Sequence, residues 1–178
     1  MTETVGDNPK ARAHVLVSRC LLGEPVRYDG EANPVEGSVL ERWRREGRVV
    51  PVCPEVVGGL QIPRPPAEIE SGEGVDGADV LAGEARVLTE SGEDVTEAFV
   101  AGARRALFEA LESEARVAVL KEGSPSCGSG RIYDGNFDGE VRDGGRGVTA
   151  ALLEAYDVAV YSEDEVEQAD EHLRRLDP

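Results

Sequence analysis

Residues 116–130 read RVAVLKEGSPSCGSG. Val117, Ala118, Val119 and Leu120 form an unbroken apolar run, too short for a buried helix and closed by glycine and proline. A short run bounded by turn residues reads as a strand buried on both faces. The next residues read as loop, with Gly123, Pro125, Gly128 and Gly130 around Cys127. Strand, then loop, then thiol is the order that decides the reading.

Two other runs end in the same way. HVLVS (14–18) leads into Arg19 and Cys20, and RVVPV (48–52) leads into Cys53-Pro54-Glu55. DVAVY (157–161) reads as a last strand, and Ala85–Leu88 as a weak one. Between them lie helical patterns. Leu40 and Trp43 are spaced for a helix over 39–47 that Gly47 stops. Val95, Phe99, Ala103, Ala106 and Leu107 share the face of a helix opening at Ser91 or Asp94 and running to Glu114. Further helices are expected over 148–155 and over 163–176, the last capped by Ser162. Residues 61–77 contain IPRPP (62–66), which cannot be helix interior, and read as a long loop. Residues 131–147 read as a Gly-rich loop.

This alternation predicts an α/β fold: one domain over 13–178, with a mainly parallel sheet flanked by helices, Rossmann-like, and long functional loops. The polar residues 1–12 are expected to be a disordered tail.

Composition narrows the function. Thirty-six acidic against nineteen basic residues give a formal charge of −17. Phosphate neutralisation needs clustered Lys and Arg, so no nucleic-acid partner is expected. No apolar run approaches the ~20 residues needed to span a bilayer, and the first residues lack a signal peptide's apolar middle. A cytoplasmic protein with no membrane partner is therefore expected. The acidity, with lysine only at 10 and 121, suggests a halophilic source. Oligomeric state is not legible.

Three cysteines are an odd number, and in such a chain they suit catalysis or metal binding better than a disulfide framework. In open α/β sheets, ligands bind outside the carboxyl ends of the strands. Parallel strands put those ends on one edge, so Cys20, Cys53 and Cys127 are expected to converge. A single cysteine beside an apolar strand is commonly core filling, but here each borders Pro or Gly or a loop entry. Structural zinc normally wants four ligands, paired Cys-x-x-Cys spacing is absent, and His14 and His172 are not obvious partners. Three isolated thiolates suit a four-iron cluster with one iron open.

The segments CLLGEPVRYDG (20–30), CPEVVGGLQIPRPPAEI (53–69), DVTEAFVAGA (94–103), LKEGSPSCGSGRIYDGNFDG (120–139) and GRGVTAALLE (145–154) resemble the DUF523 family. Its characterised members are thiouracil desulfidases. The resemblance covers nearly the whole chain after residue 13. It implies a [4Fe-4S] cluster held by three cysteines, matching Cys20, Cys53 and Cys127. Many relatives carry a further cysteine where this chain has Val26, which suggests that the extra thiol is not a ligand. Some relatives act on thiolated RNA and carry a second domain. None is expected here, and a small thiolated base is the expected substrate.

The resemblance also implies roles. The glutamate of the CPE motif, Glu55, is the expected general acid/base. A serine of SPSC is expected to be catalytic, and Ser124 is chosen for hydrogen bonding and proton relay. Ser126, Lys121 and Arg27 are expected near the substrate, and Arg64 either reaches the site or pairs with an acid. The expected reaction is non-redox: an open iron holds the sulfur, Glu55 helps water attack the thiolated carbon, and sulfide leaves. Two other readings stay open at this point. One is a non-catalytic iron–sulfur or zinc module for sulfur handling or sensing. The other is a metal-free hydrolase with Cys127 as nucleophile, which lacks a convincing His partner.

Overall fold

The computed structural model describes residues 12–178. In chain order the elements are β1 (Val15–Ser18), α1 (Ser38–Arg45), β2 (Val49–Val52), α2 (Pro54–Val57), β3 (Ala67–Ile69), α3 (Gly77–Ala82), β4 (Val87–Thr89), α4 (Thr96–Glu112), β5 (Val117–Leu120), β6 (Arg131–Tyr133), β7 (Val141–Asp143), α5 (Val148–Ala155), β8 (Ala159–Ser162) and α6 (Val166–Leu176). The expected tail lies outside the described residues, except for Arg12, which pairs with Glu46 at 2.6 Å.

Four strands form one sheet in the order β2-β1-β5-β8, every pair parallel. β1 and β5, the central pair, are buried along their whole lengths. Successive side chains alternate between faces. Val15, Val17, Val117 and Val119 pack with Trp43 of α1 and Leu173 of α6. Leu16, Ala118 and Leu120 pack with Ala106 and Ala110 of α4 and Leu153 of α5. Both faces are covered, which is why these strands read as continuous apolar runs.

One buried polar knot fastens α1 to α6. Trp43, fully buried, donates its indole N–H to Asp170 Oδ1 at 2.9 Å, and Asp170 also pairs with Arg42 and, at 2.7 Å, with Arg174.

Strand order reverses between β1 and β5, because β2 leaves to one side and β8 lies on the other. The crevice outside the carboxyl ends at such a point is where ligands bind in open α/β sheets.

The structure departs from the sequence expectation in two segments read as loop. Within 61–77, β3 forms and pairs antiparallel with β4 in a separate two-stranded sheet. The weak strand expected at 85–88 is thus β4, outside the main sheet. A three-residue strand is too short to carry a readable period. Within 131–147, β6 and β7 form an antiparallel hairpin. Helix α3 was not expected; Asp76 caps it, accepting from Ala78 N–H while Asp79 accepts from Asp76 N–H. The spacing Asp76-x-x-Asp79 was its signal. The small sheet, α3 and Phe99 of α4 enclose a third core, closed by Ile132 of β6.

Among the described residues no helix is long and apolar enough to cross a membrane.

Candidate functional site

Each thiol is placed by the turn that ends its strand. After β1 a 3₁₀ turn over Arg19–Leu22 carries Cys20 and closes at Gly23, whose φ of 92° favours glycine. After β2, Cys53 precedes α2, and Pro54 occupies the first helical position, where its missing N–H costs nothing. After β5 the loop bearing Cys127 is seated on α5. Val148 N–H donates to Pro125 O at 2.8 Å and Thr149 N–H to Ser126 O at 2.9 Å. These are donors a helix start leaves free. Ser18 ties β1 to β5: its hydroxyl accepts Lys121 N–H at 3.1 Å and lies 3.8 Å from Cys127 Sγ.

Helix α2 is held against α4 by two glycines. A Cβ on Gly102 would lie 2.0 Å from Pro54 O, and one on Gly58 would lie 2.1 Å from Ala98 O. The backbones therefore approach as closely as they can directly behind Cys53 and Glu55.

Cys20, Cys53 and Cys127 are all free thiols and all line one cavity of about 380 Å³. That falls within the ~300–1,000 Å³ of small-molecule sites. Burial, helped by neighbouring Cys53 and opposed by Lys121 and Arg27, pushes the Cys20 thiol up to about 11. Burial also raises Cys53 and Cys127, and Cys127 feels Glu55 and both other thiols. Such thiols stay protonated unless a cation enters among them.

Among the described residues no three His, Cys, Asp or Glu side chains sit close enough together to hold a single metal ion. Tetrahedral zinc would need its sulfurs within about 4 Å of one another. A multi-iron cluster spreads its ligands over several metals and takes thiols set further apart. Arg19 Nε is buried without a hydrogen-bond partner, and Arg19 lines the same cavity next to Cys20. Its charge partner is Glu24, whose Oε2 lies 3.8 Å from that nitrogen.

Glu55 stands in the cavity wall beside the thiols. Its Oε1 accepts from Arg64 Nε at 3.2 Å and its Oε2 from the Ser124 hydroxyl at 3.5 Å. Burial raises its pKa, against the Arg64 charge and these two bonds. Arg64 thus both reaches the site and pairs with an acid; its side chain is largely buried, with a further bond to Val26 O at 3.2 Å. Ser124 has a local duty as well, accepting the N–H groups of Ser126 and Cys127 at 3.1 Å each.

The remaining residues divide. Arg27 and Lys121 line the cavity, as does Val26. Lys121 Nζ is engaged by Glu163 at 2.7 Å. Ser126 is fully buried and does not line the cavity: its hydroxyl meets Thr149 Oγ1 at 2.8 Å behind the loop. The histidines lie elsewhere, His14 against Ser113 O and His172 against Tyr161.

Sequence reasoning missed several cavity residues, notably Glu68 on β3 and Phe137 at the hairpin tip. It also missed Glu122. That carboxylate accepts the N–H groups of Gly123, Ser129, Gly130 and Arg131 at 2.9–3.2 Å. Burial pushes its pKa up, yet these bonds hold it below the ordinary value. It organises the loop around Cys127. No linear spacing announces such a cradle, although a carboxylate before a glycine-rich turn is a weak signal for one.

Comparison with known proteins gives a family and a fold. The sequence model of the 2-thiouracil desulfurase family matches residues 15–165. The chain is 47% identical over 152 residues to "Uncharacterized protein YbbK" of Bacillus subtilis (strain 168), covering 85% of this chain and 97% of that protein. In structure it is similar to the [4Fe-4S]-dependent thiouracil desulfidase TudS (DUF523Vcz), with a TM-score of 0.82 and 46% identity over 92% of this chain and 99% of that one.

Proposed function

This chain belongs to the 2-thiouracil desulfurase family, and on that footing we propose that it is a non-redox desulfidase acting on a small thiolated base such as thiouracil. Cys20, Cys53 and Cys127 would hold a [4Fe-4S] cluster through three of its irons. The observation that carries the reading is the meeting of three thiols from three strand ends with the Glu55 carboxylate, held by Arg64 and Ser124, in one cavity. When bound, such a cluster presents an iron free of protein ligands, a soft Lewis acid suited to thiocarbonyl sulfur.

The chain's own residues supply proton handling. The reaction balances as thiocarbonyl plus water giving carbonyl plus hydrogen sulfide. The water oxygen replaces sulfur on carbon, both water protons end on sulfide, and carbon keeps its oxidation state, so no reductant is consumed. Glu55 would take a proton from the water and return it to the departing sulfur. Arg64 and Ser124 hold one oxygen each, which fixes the carboxylate's orientation. Arg27 and Lys121 line the wall, paired with Asp29 and Glu163, and would offer donors to a substrate oxygen. Ser126 is assigned to seating the Cys127 loop on Thr149.

The test is anaerobic reconstitution with iron and sulfide quantitation and a visible spectrum. About four irons, a brown protein and sulfide released from 2-thiouracil or 4-thiouracil without reductant are expected, with loss of both colour and turnover in Cys127→Ala. A brown protein with no turnover would identify a binding module instead. Full activity in metal-free protein would overturn the cluster.

A further inference from the structure

Glu68 sits in the middle of β3 and lines the cavity that holds the three thiols. It is 8% exposed. Its two oxygens do different things. Oε1 accepts Gly135 N–H at 3.0 Å and Phe137 N–H at 3.4 Å, both from the tip of the β6–β7 hairpin. A Cβ on Gly135 would lie 2.4 Å from Ser71 N and 2.5 Å from Ile69 O, so the tip is pressed against the end of β3. Phe137 is held there at a φ of 57°, a conformation uncommon for an aromatic residue, and it too lines the cavity.

Oε2 meets no donor among the described residues, and no cation among them pairs with Glu68. The acidic Asp134 and Asp138 are its charged neighbours. Among the described residues, fully buried side-chain polar atoms without partners reduce to Arg19 Nε, so Oε2 retains contact with open space. Glu68 is otherwise buried and lines the cavity, so the cavity is the open space available to that oxygen. One oxygen is thus spent on architecture, and the other is left without a donor in a residue of the cavity wall, which Phe137 also lines.

We propose that Glu68 is the specificity residue of the site: Oε2 accepts a ring N–H of the heterocyclic substrate while Phe137 covers the ring face. The proposal deepens the desulfidase reading and rests on it. It names the substrate class as cyclic thioamides and thioureides that carry a ring N–H beside the thiocarbonyl. A buried acceptor left bare discriminates strongly against a ligand that cannot donate to it.

Glu68→Gln separates the two duties. The glutamine oxygen keeps the bonds from Gly135 and Phe137, and its amide N–H₂ replaces the bare acceptor with a donor facing the ring donor. In the cluster-loaded full chain, KM for 2-thiouracil and Kd for uracil, the oxo-product, are expected to rise together by about tenfold or more, with kcat and melting temperature little changed. Wild-type protein is also expected to reject 1,3-dimethyl-2-thiouracil, both as substrate and as competitor. A Glu68→Gln protein with wild-type KM and uracil affinity overturns the proposal. So does tight binding of the dimethyl base, an outcome that does not depend on how the variant folds. If wild-type protein binds uracil through Glu68 but releases no sulfide from thiouracil, the desulfidase reading fails and only the base-binding role of Glu68 stands. If it binds neither base, both fail.

Discussion

Ser124 donates its hydroxyl to Glu55 across 3.5 Å while accepting the N–H groups of Ser126 and Cys127 at 3.1 Å each. Its acceptor capacity is used by the turn, so its proton is left for the carboxylate. One short side chain thereby locks the proposed acid/base to the loop of the third thiol.

From that relationship Glu55→Gln and Ser124→Ala should differ in degree. Glu55→Gln removes the proton acceptor and should lower kcat roughly 10²–10⁴-fold. Ser124→Ala removes a long positioning bond and should cost about tenfold, near 1.4 kcal/mol of barrier. Both should keep the cluster's absorption. Equal, complete inactivation with an intact spectrum would instead make Ser124 a direct participant.

Gly102→Ala should displace α2. The added methyl would lie 2.0 Å from Pro54 O, which is backbone and cannot swing aside. Overpacking of this kind typically costs about 1–3 kcal/mol. The shift falls on Cys53 and Glu55, so iron per chain should drop along with the urea midpoint. Unchanged iron content would refute the coupling.

Asp170 should set an acid limit on stability. Burial pushes its carboxyl up, but the bonds from Arg42 and Trp43 and the charge of Arg174 hold it below the usual range. A depressed pKa in the folded state gives stability that is present above the unfolded value, about 3.9, and fades as pH falls through the lower folded value. Asp170→Asn should therefore cost about 2–3 kcal/mol near pH 7. The gap to wild type should narrow as pH drops below about 4. A gap that stays constant from about pH 7 to about pH 3 would contradict it.

Salt should stabilise the fold. With a net charge of −17, self-repulsion opposes the compact state, and molar KCl shortens the screening length to about 3 Å. Melting temperature should climb from low salt to molar KCl. Salt-independent melting would remove the halophilic reading.

Much of the frame was legible because it is written locally. The runs at 14–18, 48–52, 116–120 and 157–161, each with helix-period residues before or after it, give a parallel α/β sheet once period and length are read. The turn residues after three of those runs marked Cys20, Cys53 and Cys127, and family likeness picked out Glu55 and Ser124 beside them. Strands β3, β6 and β7 were hidden because three residues hold no period, and the Pro- and Gly-rich sequence around them has the composition of loop.

The alternation of the main-sheet strands with their covering helices, the strand-end position of each thiol and the acidity of the chain are all readable from the residues in line, since periodicity, turn chemistry and charge are properties of neighbours along the backbone. It took the folded chain to show that Arg64 and Ser124 divide the oxygens of Glu55, that Ser126 turns away onto Thr149, and that Glu68 comes from a separate sheet to the wall of the same cavity. Those pairings join residues far apart in the chain through close backbone approaches such as Gly102 on Pro54 and Gly135 on Ile69. Packing fixes them, and no local pattern encodes it.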